Sequence, residues 1–338
     1  FCAESYKHLI IVINVGGVFD LHFLSEIQGI GAVVFMGQLG SMGGQALADV
    51  LIGRQTPSGK LTDTWAKHYR DLPFADEYSY LNGNLDEEYY REGIYVGYRY
   101  FDTASFYETE EALGRAIRES GIPREEFFLT SKAWKTEMGY EEVKKAFAQT
   151  LEKLGTDYLD MYLIHWPLPN PEYIDWKELD VETWRGLEEL YKAGKVKAIG
   201  VSNFLLHHLE NLIQNCEIMP MADQIEFHPG FTQEATVRYC QEKGIYVQAW
   251  SPLGRKRVLE HPLLEGLAEK YNKSAAQICL RYEIQRQVIP LPKASTKERM
   301  VQNYQVFDFE IEKEDMYRID SMQPAGWSGE HPDFPRVK

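Results

Sequence analysis

The chain has 338 residues, of which 44% are hydrophobic and 26% charged, and a formal net charge of −15. This length and balance fit a soluble globular protein: one large α/β domain, or a barrel with a smaller attachment. The negative charge and the lack of a long Lys/Arg block exclude a nucleic-acid surface, and no apolar run approaches the ~20 residues of a membrane span.

Phe1 is not an initiator Met, so the chain reads as a fragment or a processed product, and nothing in it reads as a signal peptide. Cys2, Cys216, Cys240 and Cys279 show no CxxC or paired spacing. The last three sit in helical, apolar contexts, so buried free thiols in a reducing compartment are expected, with cytoplasm as the location.

Residues 1–96 come first in chain order. KHLIIVINVGG and GAVVFMG are buried-type strands, QALADVLIG is a helix, and TPSG turns the chain into KLTDTWA. A Tyr- and acid-rich loop, EYSYLNGNLDEEYYREG, follows. The segment reads as a piece of a three-layer α/β domain. GQLGSMGG lies between strand and helix, as a phosphate loop would, but lacks GxGxxG or a Walker Lys.

Residues 97–338 alternate short apolar strands with amphipathic helices. The strands are YRYFDTA, EFFLTSKA, YLDMYLIHW, VKAIGVSNF, ADQIEFH, IYVQAWSPLG and VIPLPKAS. Val143, Phe147, Leu151 and Leu154 share one helix face, as do Leu209, Leu212, Ile213 and Cys216. Gly155, Gly194 and Gly244 close helices before the next strand. Such alternation implies a parallel sheet covered on both faces, and the run of units predicts a (β/α)8 barrel short of one strand. The two segments share the word GYRYFD, Gly97 to Asp102.

The working face of such a barrel lies at the C-terminal ends of its strands. Every strand here ends in a polar or distinctive group: Asp102, Lys132, His165, Ser202 with Asn203, Gln224, Trp250 with Ser251, and Lys293. Lys132, deep in the barrel mouth, needs a partner, and Asp102 on the neighbouring strand supplies one. Tyr107 follows on the loop above. A Tyr hydroxyl ordinarily titrates near ~10, and a neighbouring cation favours its phenolate. His165 reaches the same point. Each feature has a plainer meaning alone: a structural ion pair, a packed Tyr, a His at a strand end. Together, in strand order, they form a device that donates a proton to a carbonyl oxygen. No metal-ligand spacing is present and no Ser or Cys sits beside a base, so a cofactor supplying hydride fits best. Lys293, Ser295, Thr296, Lys297 and Arg299 gather where a helix begins, an arrangement suited to an anionic ligand. Trp134, Trp166 and Trp327 are expected to wall an apolar substrate pocket.

From Gly97 onward the chain resembles the aldo-keto reductase superfamily, in GYRYFDTASFYETEE, FFLTSKAW, YLDMYLIHWP, KAIGVSNF, DQIEFHP, AWSPLG and IPLPKASTKERMVQN. The resemblance implies Asp102, Tyr107, Lys132 and His165 as the catalytic tetrad, with Tyr107 as proton donor. It implies Ser202, Asn203 and Gln224 as holders of the nicotinamide carboxamide, Trp250 stacked on its ring, and Ser251 and Leu253 along the pyrophosphate. Lys293, Ser295, Thr296 and Arg299 would address the 2′-phosphate and adenosine end, with Gln302 and Asn303 near the adenine. Ala294 departs from the family, where a Ser often helps bind the phosphate. NADPH is the expected cofactor, with NADH as the alternative; the partner is a small carbonyl compound, and a monomer is expected.

The N-terminal stretch is similar to the α/β-sandwich domain of family-3 glycoside hydrolases, from LIIVINVGG through GGQALADVLIG and PSGKLTDTWA to DEEYYREGIYVGYRYFD. Glycoside hydrolysis needs two carboxylates flanking the bond, and Glu87, Glu88 and Glu92 read instead as a solvated loop. The chain thus reads as a chimera joined at GYRYFD, without the hairpin, first strand and first helix that precede this word in aldo-keto reductases. A strand from the N-terminal piece, GAVVFMG or LIIVINV, is expected to fill the gap. The competing readings are a carbohydrate-binding fragment and an inactive fusion.

Overall fold

The computed structural model describes residues 9–13, 30–35, 47 and 99–336. The chain divides into two compact units, Phe1–Gly93 and Ile94–Lys338. In the first, β1 (Leu9–Ile13) and β2 (Ile30–Phe35) pair in parallel, with Val12 opposite Val34. The expected helix QALADVLIG (Leu47 apart), the TPSG turn, GQLGSMGG, the Tyr- and acid-rich loop and Cys2 lie outside the described residues.

The second unit carries seven parallel strands in sequential order. They are β3 (Tyr100–Asp102), β4 (Phe128–Ala133), β5 (Met161–Ile164), β6 (Ile199–Ser202), β7 (Ala222–Glu226), β8 (Tyr246–Trp250) and β9 (Val288–Pro290). Each lies inside a stretch read as a strand from the sequence. Helices follow the strands: α1 (Glu110–Glu119), α2 (Tyr140–Leu154), α3 (Trp176–Lys192), α4 (Leu206–Asn215), α5 (Glu234–Lys243), α6 (Pro262–Tyr271), α7 (Ala275–Gln285), α8 (Lys297–Tyr304) and α9 (Lys313–Asp320). This is the strand and helix order of a (β/α)8 barrel with seven strands of its own.

One expectation is corrected. Neither N-terminal strand supplies the eighth barrel strand among the described residues: β1 and β2 pair with each other, and the larger sheet runs from β3 to β9. The physical reason is local. Two apolar strands close in sequence satisfy each other's backbone groups at a smaller loop-closure cost than insertion into a distant sheet.

The core lies between strands and helices. Val143, Phe147 and Leu154 of α2 are buried with Tyr162 of β5 and Trp184 of α3. Gly155 ends α2 in the left-handed conformation, φ 67°, which its missing side chain permits. α7 starts with a reciprocal cap, in which Ser274 and Gln277 satisfy each other's backbone N–H groups. Cys240 and Cys279 are buried free thiols and Cys216 is partly buried. No helix among the described residues is long and apolar enough to cross a membrane.

Candidate active site

Parallel register places the first residues. Asp102, the last residue of β3, stands opposite Thr130 of β4. Side chains alternate along a strand, so Lys132, two positions on, shares the side that Thr130 takes. Its ammonium has no exposed surface and bonds Asp102 Oδ1, while it donates to the Thr103 carbonyl at 2.9 Å. The carboxylate thereby offsets a charge that would be costly to bury alone. Lys132 Nζ also stands 4.9 Å from the ring centroid of Tyr107.

Tyr107 ends a short 3-10 turn, Ser105–Tyr107, directly after β3, and is 45% exposed. Its hydroxyl is 3.4 Å from Nε2 of His165, which follows β5. Burial, and after it the Lys132 and Lys135 ammonium groups, hold the His165 imidazole well below its usual titration range, so the ring is neutral. Nδ1 of that ring is buried without a hydrogen-bond partner. An orphaned buried N–H is rarer than an under-used acceptor, so the proton belongs on Nε2, facing the Tyr107 hydroxyl. Trp134 packs edge-on against His165 at 5.0 Å and stacks on Phe106 at 3.9 Å.

A second chain of bonds joins these groups to β6, β7 and β8. Gln224 donates from Nε2 to Asp102 Oδ2 at 2.8 Å and to Gln248 Oε1 at 3.0 Å. Ser202 Oγ donates to the Gln224 carbonyl at 2.7 Å. Asn203, at φ 64°, donates to the His165 carbonyl at 2.9 Å and accepts the Trp250 indole N–H at 2.8 Å. The Trp250 ring is thereby fixed on the wall of a cavity of about 270 Å³ shared with Asn203, Phe231, Trp327, Glu330 and Pro332. Ser251, at φ 53°, and Leu253 form the tight turn after β8.

The remaining expected residues stand apart. Lys293, Ser295, Thr296 and Arg299 are exposed around the start of α8, where Thr296 caps the helix by accepting the Arg299 backbone N–H at 3.4 Å. Gln302 and Asn303 lie on α8, and the Gln302 carbonyl accepts from Gln277. Trp327 borders the cavity; Trp166 is buried and does not line it. Glu87, Glu88 and Glu92 lie outside the described residues.

Sequence reasoning passed over Tyr100 and Gln248. Tyr100 donates to Gln248 Oε1 at 3.2 Å and accepts from Thr130 at 2.9 Å, and burial pushes its phenol above the usual range. Both precede a recognised residue by two positions, Asp102 and Trp250, and the strand period was the available signal. It also passed over Glu226, whose buried carboxylate holds Ser328.

The arrangement suits a flat ring beside Trp250 and an anion at α8. Gln224 spends both amide hydrogens inside the protein, which leaves its Oε1 to accept from a ligand.

The sequence model of the Aldo/keto reductase family matches residues 74–324, and that of the Glycosyl hydrolase family 3 C-terminal domain matches residues 2–98. Glyoxal reductase of Bacillus subtilis (strain 168) is 47% identical over 252 residues, covering 75% of this chain and 88% of that protein. A crystal structure of an aldo/keto reductase from Brucella melitensis superposes with a TM-score of 0.63 at 45% identity, over 68% of this chain and 86% of that one. A Bombyx mori aldo-keto reductase crystallised with NADP gives a TM-score of 0.65 at 37% identity, over 73% and 88% of the two chains. By sequence, strand order and relatives, the chain belongs to the aldo/keto reductase family.

Proposed function

We propose that the chain reduces aldehydes and ketones to alcohols with NADPH, with Tyr107 as the proton donor. The carrying observation is the convergence of Asp102, Lys132, Tyr107 and His165 at one point, from three strand ends and a loop. NADPH, when bound, supplies the hydride. The protein's part is to bind, orient and deliver the proton. A carbonyl oxygen above Tyr107 receives a hydrogen bond from its hydroxyl and a second from the neutral His165 Nε2–H. Lys132, held by Asp102, stabilises the phenolate left after proton transfer. Asn203 and Gln224 would hold the nicotinamide amide and Trp250 would stack on the ring. Ser202 would fix the strand end beneath, and Ser251 and Leu253 would flank the pyrophosphate. Lys293, Ser295, Thr296 and Arg299 would receive the 2′-phosphate, with Gln302 and Asn303 toward the adenine. Trp134 and Trp327 favour substrates with a hydrophobic body. The name of the Bacillus relative supports small aldehydes as a starting panel.

The unit over residues 97–338 carries this activity, with residues 1–96 as a separate segment. A monomer in a reducing cytoplasm is the setting we propose, supported by the free thiols of Cys240 and Cys279. The test is titration of the purified chain with NADPH, following its Trp fluorescence, and then turnover of a panel of aldehydes. Saturable quenching and NADPH consumption are expected. A folded chain that binds no NADPH overturns the reading, and sugar binding in its place would favour the carbohydrate-binding alternative.

A further inference from the structure

The C-terminal segment is held at two points. Ser328, itself buried, gives its backbone N–H and its hydroxyl to the two oxygens of the Glu226 carboxylate, at 2.8 and 2.7 Å. Further along, Asp333 Oδ1 accepts from His207 Nε2 at 2.8 Å, and His208 Nε2 lies 3.0 Å from the same oxygen. Asp333 turns its own N–H back onto His331 Nδ1 at 3.2 Å. Between the two points lie Glu330, His331 and Pro332, which wall the cavity beside Trp250.

His207, His208 and Asp333 resemble a metal centre, since one ligand atom from each lies within 4.8 Å of the others. The hydrogen bonding of His208 opposes that. Its Nδ1 accepts the Leu205 backbone N–H at 3.1 Å, so the ring proton resides on Nε2. A nitrogen that carries the proton has no lone pair to offer a metal, whereas beside a carboxylate it is attractive. Trp176 packs edge-on against His208 at 4.8 Å and steadies the ring.

We propose that Asp333 is a positioning residue: gripped by His207 and His208, it fixes the Glu330–Pro332 wall of the cavity and thereby sets affinity for carbonyl substrates with a hydrophobic body. The inference rests on the carbonyl-reductase reading.

Asp333→Ala and Asp333→Asn in the full chain test it, with kinetics on methylglyoxal and an aromatic aldehyde and hydrogen exchange of residues 329–336. Asp333→Ala should raise KM for the aromatic aldehyde about tenfold while kcat stays within about twofold. Methylglyoxal, too small to need the wall, should be little affected, and exchange of the segment should quicken. Asp333→Asn should behave as wild type, because an amide oxygen accepts from an imidazole N–H as a carboxylate oxygen does.

Unchanged aromatic KM in Asp333→Ala, or unchanged exchange, overturns the proposal. So does an Asn variant as impaired as the Ala variant, or a rise in wild-type Tm with zinc that Asp333→Ala abolishes, which would make the cluster a metal centre. A wild-type chain that reduces neither aldehyde removes the reductase reading and the substrate half of the proposal with it. The exchange data then still decide whether the clamp exists.

Discussion

Asp102 and Lys132 sit on adjacent parallel strands, two register positions apart, and their side chains meet inside the barrel mouth. The Lys132 ammonium is fully buried, and Asp102 is the carboxylate that neutralises it. Removing one partner leaves a buried charge, whereas removing both leaves none. Asp102→Leu or Lys132→Met alone should therefore cost about 3–5 kcal/mol, and the double variant should recover most of that. Urea unfolding midpoints of the three variants measure the coupling; strictly additive losses would refute it. All three should lose reductase activity.

Tyr107 is half-exposed, and its hydroxyl has His165 as its hydrogen-bond partner. Tyr107→Phe should cost about 0.5–1.5 kcal/mol, because the buried His165 imidazole loses the hydroxyl that faces its Nε2. Turnover should fall by roughly 10²–10⁴, with NADPH-induced quenching unchanged. Loss of NADPH binding in this variant would remove Tyr107 from the role of proton donor.

Asp180 on α3 is fully buried, and neither of its carboxyl oxygens has a hydrogen-bond partner. Burial pushes its carboxyl well above the ordinary carboxylate range, so the folded chain holds the proton. Below the unfolded value, near pH ~4, both states are protonated and the group contributes no pH dependence. As pH rises past it, the unfolded chain releases a proton that the folded chain keeps, and stability falls. Asp180→Asn cannot titrate, so its stability relative to wild type should increase between about pH 5 and about pH 8. His165 works in the opposite sense: it is neutral when folded, and costs stability as pH falls through ~6.5 and the unfolded imidazole charges. The Asn-minus-wild-type difference isolates Asp180 from that background, and a flat difference would mean that the carboxyl ionises in place.

Gly114 and Gly266 are both helical, on α1 and α6, yet they should respond oppositely to Ala. A Cβ at Gly114 would lie 2.2 Å from the Leu154 carbonyl oxygen, whereas one at Gly266 meets nothing within 4 Å. Gly266→Ala should stabilise by about 0.5–1 kcal/mol through helix propensity. Gly114→Ala should destabilise by about 1–3 kcal/mol, because α1 cannot then approach the end of α2. Thermal unfolding of the two variants gives the signs directly.

The barrel strands could be read from the sequence because each is a short apolar run closed by a polar residue, and that pattern belongs to the strand itself. The same period would have exposed Tyr100 and Gln248, which share the strand face of Asp102 and Trp250. The hydrogen bonds among Tyr100, Gln224 and Gln248 were not readable, because they join strands whose neighbours are set only when the sheet forms. Asp333 gave no signal at all, since His207 and His208 lie more than a hundred residues earlier in the chain. The pairing of β1 with β2 was equally hidden, because an apolar strand does not encode which edge it joins.

By itself, then, the amino-acid sequence determined the family, the strand and helix order of the barrel, and which residue types stand at each strand end. Those follow from local periodicity and from words that keep their order along the chain. The burial of Lys132 against Asp102, the lowered titration range of His165 beside Tyr107, and the bonds that tie Ser328 to Glu226 and Asp333 to His207 exist only in the folded chain. Burial, proton placement and long-range contacts depend on what each group meets in space, which the order of residues does not specify until the chain has folded.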